Sequence, residues 1–193
     1  MNEFGSRITV EDAVPADAEE IAALHARGWR DAYPSDRHGV TREWVADRVR
    51  GWTLPAAIRR RRALIAAARV DVDRSYLVAR LRGGGSDEDR VVVGFASPWR
   101  DEVNQRVGAL YVDRGWRGRG VGGELLAEVV AWAAPGRTLA LEVATYNRGA
   151  RAFYRRWGFT EVGVGTCGVI PVVRMELAVG VTGGGLVIGE KLD

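Results

Sequence analysis

A chain of 193 residues with 47% apolar content is most simply one domain with enough apolar surface to bury a core. Its net charge of +3 is a mild excess, nearly all arginine with Lys191 the only lysine, and does not by itself point to nucleic acid. The single cysteine, Cys167, excludes an internal disulfide and fits a reducing compartment, while no apolar run nears the roughly 18 residues of a membrane span.

The start, MNEFGSRITV, lacks the layout of a secretory signal, so a cytoplasmic location is expected, with no membrane partner. Residues 1–6 read as a cloning remnant and are set aside, which leaves 7–178 as a single domain. RITVEDA reads as a first strand. DAEEIAALHARGWRDAY follows as a helix, with Asp17 and Glu20 spaced as a capping box and Ile21, Leu24, Gly28 and Trp29 near one face. TREWVADRVRGW and TLPAAIRRRRALIAAA predict two more helices, the second with Pro55 in its first turn. The four arginines at 59–62 turn through most of a helix circumference and read as a solvated surface.

The period then changes. SYLVARL and RVVVGFASPW are strand-like and joined by the glycine-rich loop RGGGSDED. QRVGALYVD predicts another strand, and after RGRGVGG comes a helix whose stripe is Val121, Leu125, Leu126, Val129 and Val130. Pro135 and Gly136 stop it. TLALEVA is a strand, NRGARAFYRRW a short helix, and FTEVGV and IPVVRMELAV closing strands. The sum is a mixed α/β fold with antiparallel and parallel pairing. The tail from 179 to 193 is glycine-rich and reads as disordered or as a vector remnant.

The costly turn RGRGVGG, set between a strand and a helix, carries the functional signal. The first amides of a helix have no internal partner, the helix dipole adds positive potential there, and glycine lets a ligand approach the backbone. Arg117 and Arg119 add guanidinium forks suited to phosphate oxygens. A flexible hairpin, or arginines that form only a solvated face, are the alternatives. A P-loop requires a lysine that this turn lacks. Gly118, Gly120 and Gly123 do fit the dinucleotide pattern G-x-G-x-x-G, but DRGWR intervenes between strand and turn, and several strands precede this one.

RGRGVG matches the R/Q-x-x-G-x-G/A signature of the GNAT N-acetyltransferase superfamily, with Arg117, Gly120 and Gly122 at its defining positions. LEVATYNRGARAFYRRWGF resembles a second block of that superfamily, through Leu141, Val143, Asn147, Ala150, Phe153, Tyr154, Gly158 and Phe159. WRDAY, at the end of the first helix, is similar to the front of many bacterial members. The resemblance implies a GNAT fold, with a central mixed, mostly antiparallel sheet flanked by helices.

It implies acetyl-CoA as cosubstrate and no metal. The pyrophosphate would lie on amides of Gly118, Arg119, Gly120, Val121, Gly122 and Gly123, with Arg117 completing the signature. The pantetheine arm would pair with the strand edge at Leu110, Tyr111 and Val112, where the Leu110 or Val112 amide polarises the thioester carbonyl. Tyr154 would protonate the departing thiolate, although the stripe Ala150, Phe153, Tyr154 and Trp157 also suits a core. Asn147 would cap its helix and contact the cofactor arm.

Glu142 resembles the general base of the bacterial ribosomal-protein alanine acetyltransferases; a structural ion pair is the competing role. Asp101 and Glu102 are weaker acids for a cationic substrate, more simply part of a solvated turn. Cys167 reads as a lone buried thiol, because His25 and His38 are far upstream, and these residues make no metal site. The tryptophans at 29, 44, 52, 99 and 116 line an acceptor pocket or pack in the core. The implied activity is acetyl transfer to a primary amine, on a small molecule or a peptide, in a ternary complex. The alternative is a sensor that binds acyl-CoA without turnover. No nucleic-acid partner is implied, and a homodimer is left open.

Overall fold

The strands and helices follow in the order β1 (Ile8–Asp12), α1 (Ala18–Ala32), α2 (Arg42–Val49), α3 (Pro55–Ala68), β2 (Leu77–Leu81) and β3 (Val92–Ala96). Then come β4 (Trp99–Arg100), β5 (Gln105–Arg106), β6 (Leu110–Val112), α4 (Val121–Trp132), β7 (Thr138–Ala144), α5 (Arg148–Arg156), β8 (Thr160–Cys167) and β9 (Ile170–Ala178). This computed structural model describes residues 8–81 and 91–180. The remnant expected at 1–6, the loop RGGGSDED and the tail beyond 180 lie outside the described residues. No described helix is long and apolar enough to cross a membrane.

The strands form two sheets, ordered β1-β2-β3-β6 and β4-β5-β7-β9-β8, and every pairing is antiparallel except β5 with β7. Side-chain alternation sorts each strand between two faces. Leu77 and Ala79 of β2, with Leu139, Leu141 and Val143 of β7, meet the α4 stripe Val121, Leu125, Leu126 and Val129 in one core. Because α4 touches both sheets, it holds them together along their shared face. On the other face Val78 and Phe95 pack against Ile21 and Leu24 of α1 and Ile65 of α3. A third cluster joins Val40 and Val45 to Ala144, Ile170 and Val172.

Local signals placed most helix ends. Thr41 accepts a hydrogen bond from the Trp44 amide at 3.1 Å, and Pro55 opens α3. The capping box expected from Asp17 and Glu20 does not form. Asp17 instead accepts from the Val14 amide and pairs with Arg80, while Glu20 accepts from the Val92 amide at 2.9 Å. Both carboxylates are drawn off by partners far away in sequence. A buried Arg80 needs that company, since an unpaired charge inside a protein is costly. Gly28, unusual inside a helix, lets the Tyr111 ring lie against α1; a β-carbon there would strike that ring.

Candidate active site

QRVGALYVD is not one strand. Gly108, at φ +67°, breaks it into β5 and β6. Before the break Arg106 pairs with Ala140 of β7, and the Val107 amide donates to the Ala140 carbonyl at 2.9 Å. After it the Ala109 carbonyl accepts from Ser97 at 2.9 Å, and Asp113 donates to Val93 at 2.8 Å. Residues 109, 111 and 113 therefore face β3, and alternation turns the amides and carbonyls of Leu110 and Val112 the other way. There β7 has parted to stay with β9, so among the described residues β6 pairs with β3 alone. The result is an open strand edge inside the molecule.

The turn before α4 points its amides at the same opening. Gly118 and Gly120 have φ of +75° and +88°, in the left-handed region that favours glycine. Gly120 caps α4, and its carbonyl accepts from Gly123 at 2.8 Å and Glu124 at 3.1 Å. The Val121 and Gly122 amides precede these bonds and, with Gly118 and Gly120, donate to no main-chain carbonyl among the described residues. Gly123 thus departs from its expected role: its amide belongs to the helix, although the residue still lines the opening. Arg117 departs too. Its Nε donates to the Val112 carbonyl at 3.0 Å and its Nη2 pairs with Asp31 at 3.0 Å, so it braces strand to helix. The Arg119 guanidinium lies over the Trp116 ring at 5.2 Å.

Between β6 and the β7–α5 turn runs a cavity of about 950 Å³. Leu110, Tyr111 and Val112 form one wall, Gly118, Gly120, Gly122 and Gly123 another, and Tyr146, Asn147 and Tyr154 the far side. Asn147 caps α5 through the Ala150 amide at 3.1 Å while facing this cavity, so both roles expected of it are sterically compatible. Tyr154 is 8% exposed, its ring held edge-on by Phe153 and Phe159 at 5.1 and 5.6 Å. Burial first, and Tyr33 second, push its phenol well above the usual value. It is therefore a neutral hydroxyl at the cavity surface, a donor and not a base.

Glu142 does not line the cavity. It sits on the β7 face away from α4 and pairs with Arg106 at 2.8 Å, the structural role that competed with catalysis. Its strand neighbour across β9 is Arg174, so the position is a rung in a charged ladder. Asp101 folds its own turn, accepting from the Val103 and Asn104 amides, and these bonds hold its carboxyl below the usual range. Cys167 is exposed, not buried, because β8 is an edge strand with both faces in solvent. Among the described residues no three His, Cys, Asp or Glu side chains gather as a metal site.

The residues missed from sequence lie behind Tyr111. The Tyr33 and Tyr111 hydroxyls are 3.1 Å apart, and the Tyr146 hydroxyl donates to the Tyr33 carbonyl at 2.6 Å. The available signal was the four-residue spacing of His25, Trp29 and Tyr33 on α1. Trp29 donates to Nε2 of His25 at 3.2 Å, which leaves the proton on Nδ1, a buried atom without a partner among the described residues. Burial, aided by Arg61, pulls His25 from its usual 6.5 down to about 3.

The folded state thus keeps His25 neutral while the unfolded chain protonates it below about pH 6.5. Stability is lost as pH falls through that value toward about 3, at up to about 1.4 kcal/mol per pH unit. Melting curves at pH 7, 6 and 5 should show the decline, and His25→Leu should flatten it. An unchanged slope in that variant would remove His25 from the account.

Comparison with known proteins agrees with this geometry. A model of the acetyltransferase (GNAT) domain matches residues 73–161, from the turn before β2 into β8. A stretch of 72 residues is 40% identical to an uncharacterised protein of Mycobacterium leprae; it makes up 37% of this chain and only 19%, about a fifth, of that curated relative. A GNAT-family acetyltransferase from Streptococcus pneumoniae superposes with a TM-score of 0.67 at 20% identity, over 90% of this chain and 99% of that one. The PaiA N-acetyltransferase of Thermoplasma acidophilum, solved with coenzyme A, gives 0.66 at 16% identity, over 88% and 99%. YncA of Salmonella typhimurium, a putative acetyltransferase solved with acetyl-CoA, gives 0.65 at 19% identity, over 92% and 97%. Residues 73–161 thus match the acetyltransferase (GNAT) domain, and the chain as a whole has the fold of these solved structures.

Proposed function

We propose that this protein transfers an acetyl group from acetyl-CoA to a primary amine, with both substrates bound together. One observation carries the reading: a strand edge that no second strand covers among the described residues and an open amide turn face one cavity of about 950 Å³. The amides of Gly118, Gly120, Val121 and Gly122 suit a pyrophosphate, and the Leu110–Val112 edge suits the amide-bearing arm of coenzyme A. Two of the similar structures were solved with coenzyme A or acetyl-CoA. Bound acetyl-CoA would supply an activated thioester.

The chain's own groups do the rest. The Leu110 or Val112 amide, aimed away from β3, holds the negative charge that develops on the carbonyl oxygen. Tyr154, neutral across the working pH range, donates a hydrogen bond to the departing sulfur. Holding the amine beside the thioester removes the entropy of their encounter. Glu142, tied to Arg106 outside the cavity, is not required for this scheme. Glu142→Gln should accordingly lower kcat less than tenfold; a hundredfold loss, with the acid limb of the pH profile gone, would return it to the role of base.

Free-thiol release from acetyl-CoA across an amine panel tests the function. Thermal stabilisation by acetyl-CoA with no release on any amine would favour the sensor. Gly120→Ala should weaken acetyl-CoA binding at least tenfold. Alanine at this positive φ costs about 1–2 kcal/mol, and nothing else near the new methyl resists it. Calorimetric titration with coenzyme A reads that change directly, and unaltered affinity would argue against the turn as the anion site.

A further inference from the structure

The wall of the cavity away from the glycine turn is aromatic. Tyr111 and Tyr146 line it, and behind them stand Tyr33, Trp29 and Trp52. Trp29 stacks at a tilt on Tyr33 at 4.4 Å and meets Trp52 edge-on at 5.2 Å. His25 closes the row, 4.4 Å from Trp52 and 4.8 Å from Tyr111. These side chains come from α1, from the turn after α2, from β6 and from the β7–α5 turn, so no single helix stripe explains their meeting. Trp29, Tyr33, Trp52 and Tyr146 are all partly exposed, and of these Tyr146 lines the cavity itself.

Charge is distributed the other way. The cavity lining carries Arg117, Arg148 and Arg156 against one carboxylate, Asp31, and that carboxylate is paired with Arg117. Asp113 nearby pairs with Arg27 at 3.0 Å, and Glu142 with Arg106 at 2.8 Å. Asp36 and Glu43, in the loop after α1 and at the start of α2, are exposed and outside the lining. Within that lining, a substrate with several ammonium groups would find three arginines and no uncommitted acid. A single amine on an apolar body would find ring faces for the body and phenol oxygens for the nitrogen.

Resting on the transferase reading above, we infer that the acceptor is a monoamine carried on an aromatic or similarly apolar body, seated against Tyr111 and Tyr146, which the Trp29–Tyr33–Trp52 cluster backs, and not a polyamine or aminoglycoside. Tyr33 is a positioning residue in this arrangement. Its hydroxyl orients that of Tyr111, and its carbonyl anchors that of Tyr146. The phenols of Tyr33, Tyr111 and Tyr146 are all raised, by burial first, so this wall stays uncharged at neutral pH.

The full chain is assayed for thiol release with acetyl-CoA and 2-phenylethylamine, tryptamine, spermidine or kanamycin. In parallel, tryptophan fluorescence is titrated with 2-phenylethylamine, spermidine or kanamycin in the presence of coenzyme A. The aryl amines should give kcat/KM at least tenfold above the polycations, and 2-phenylethylamine a saturable fluorescence change that spermidine does not produce. Trp29→Leu should raise KM for 2-phenylethylamine about tenfold, with kcat and the KM for acetyl-CoA unchanged. Should that variant fold poorly, Tyr33→Phe, which keeps the ring, should shift the same KM in the same direction. Spermidine or kanamycin turned over as well as the aryl amines, or fluorescence indifferent to 2-phenylethylamine, overturns the inference and leaves the transferase standing. Selective aryl-amine binding without any turnover supports the pocket and removes the transferase. Absence of coenzyme A binding overturns both.

Discussion

Gly108→Ala is expected to destabilise the protein by about 3 kcal/mol or more, about 10 °C of Tm for a chain of this size. Two effects combine at this residue. The backbone lies at φ +67°, and a β-carbon there would collide with the Ser97 carbonyl. Ser97 cannot retreat freely, because its own amide donates to the Ala109 carbonyl across the β3–β6 junction. Relief therefore has to come from the strand register that opens the cleft. The variant should lose acetyl-CoA binding along with stability, whereas a simple core defect would lower only the second. Melting curves with and without acetyl-CoA decide it, and a native melting temperature would refute the role given to this glycine.

For Tyr154→Phe the expectation is reversed, with activity lost and the fold kept. The ring is gripped by Phe153 and Phe159 and belongs to the core shared by α4 and β7, so phenylalanine preserves the packing. Only the hydroxyl at the cavity goes. A positioned proton donor contributes about 10²–10⁴ in rate, and the lower end is expected here. A thiol of ordinary acidity, pKa about 8.5, leaves readily, and a phenol raised above 10 stabilises its anion by hydrogen bonding more than by full proton transfer. We expect kcat to fall about a hundredfold, with the KM for acetyl-CoA and the Tm unchanged. Full kcat in this variant would exclude the hydroxyl from the chemistry.

The residues that bear these two predictions differ in how they could be found. Tyr154 and Asn147 stand in a local block whose spacing survives in the structure: Asn147 caps α5 and Tyr154 lies two turns on, facing the cavity. Gly118 and Gly120 take the positive φ of a glycine turn before a helix, a property of a few consecutive residues. Gly108 lay inside a run of strand-like residues and carried no local mark. Its importance comes from Ser97 and Ala140, one on each side, which claim the chain before and after it. Arg117 and Glu142 were legible as charged residues and not as paired ones, because Asp31 is 86 residues from the first and Arg106 is 36 from the second.

From the sequence alone came the order of helices and strands, the stripe of α4, the helix cap at Asn147 and the glycine turn, all set by periods and caps within a dozen residues. Tertiary structure decided where β5 ends and β6 begins, which arginines remain for a ligand, that Asp17 and Glu20 bind across the fold and not to their own helix, and that α1 brings Tyr33 to Tyr111. The physical reason is the range of the forces involved. Backbone preference acts between neighbours, while a buried charge or an open strand edge takes whatever partner the packed chain brings within hydrogen-bond reach.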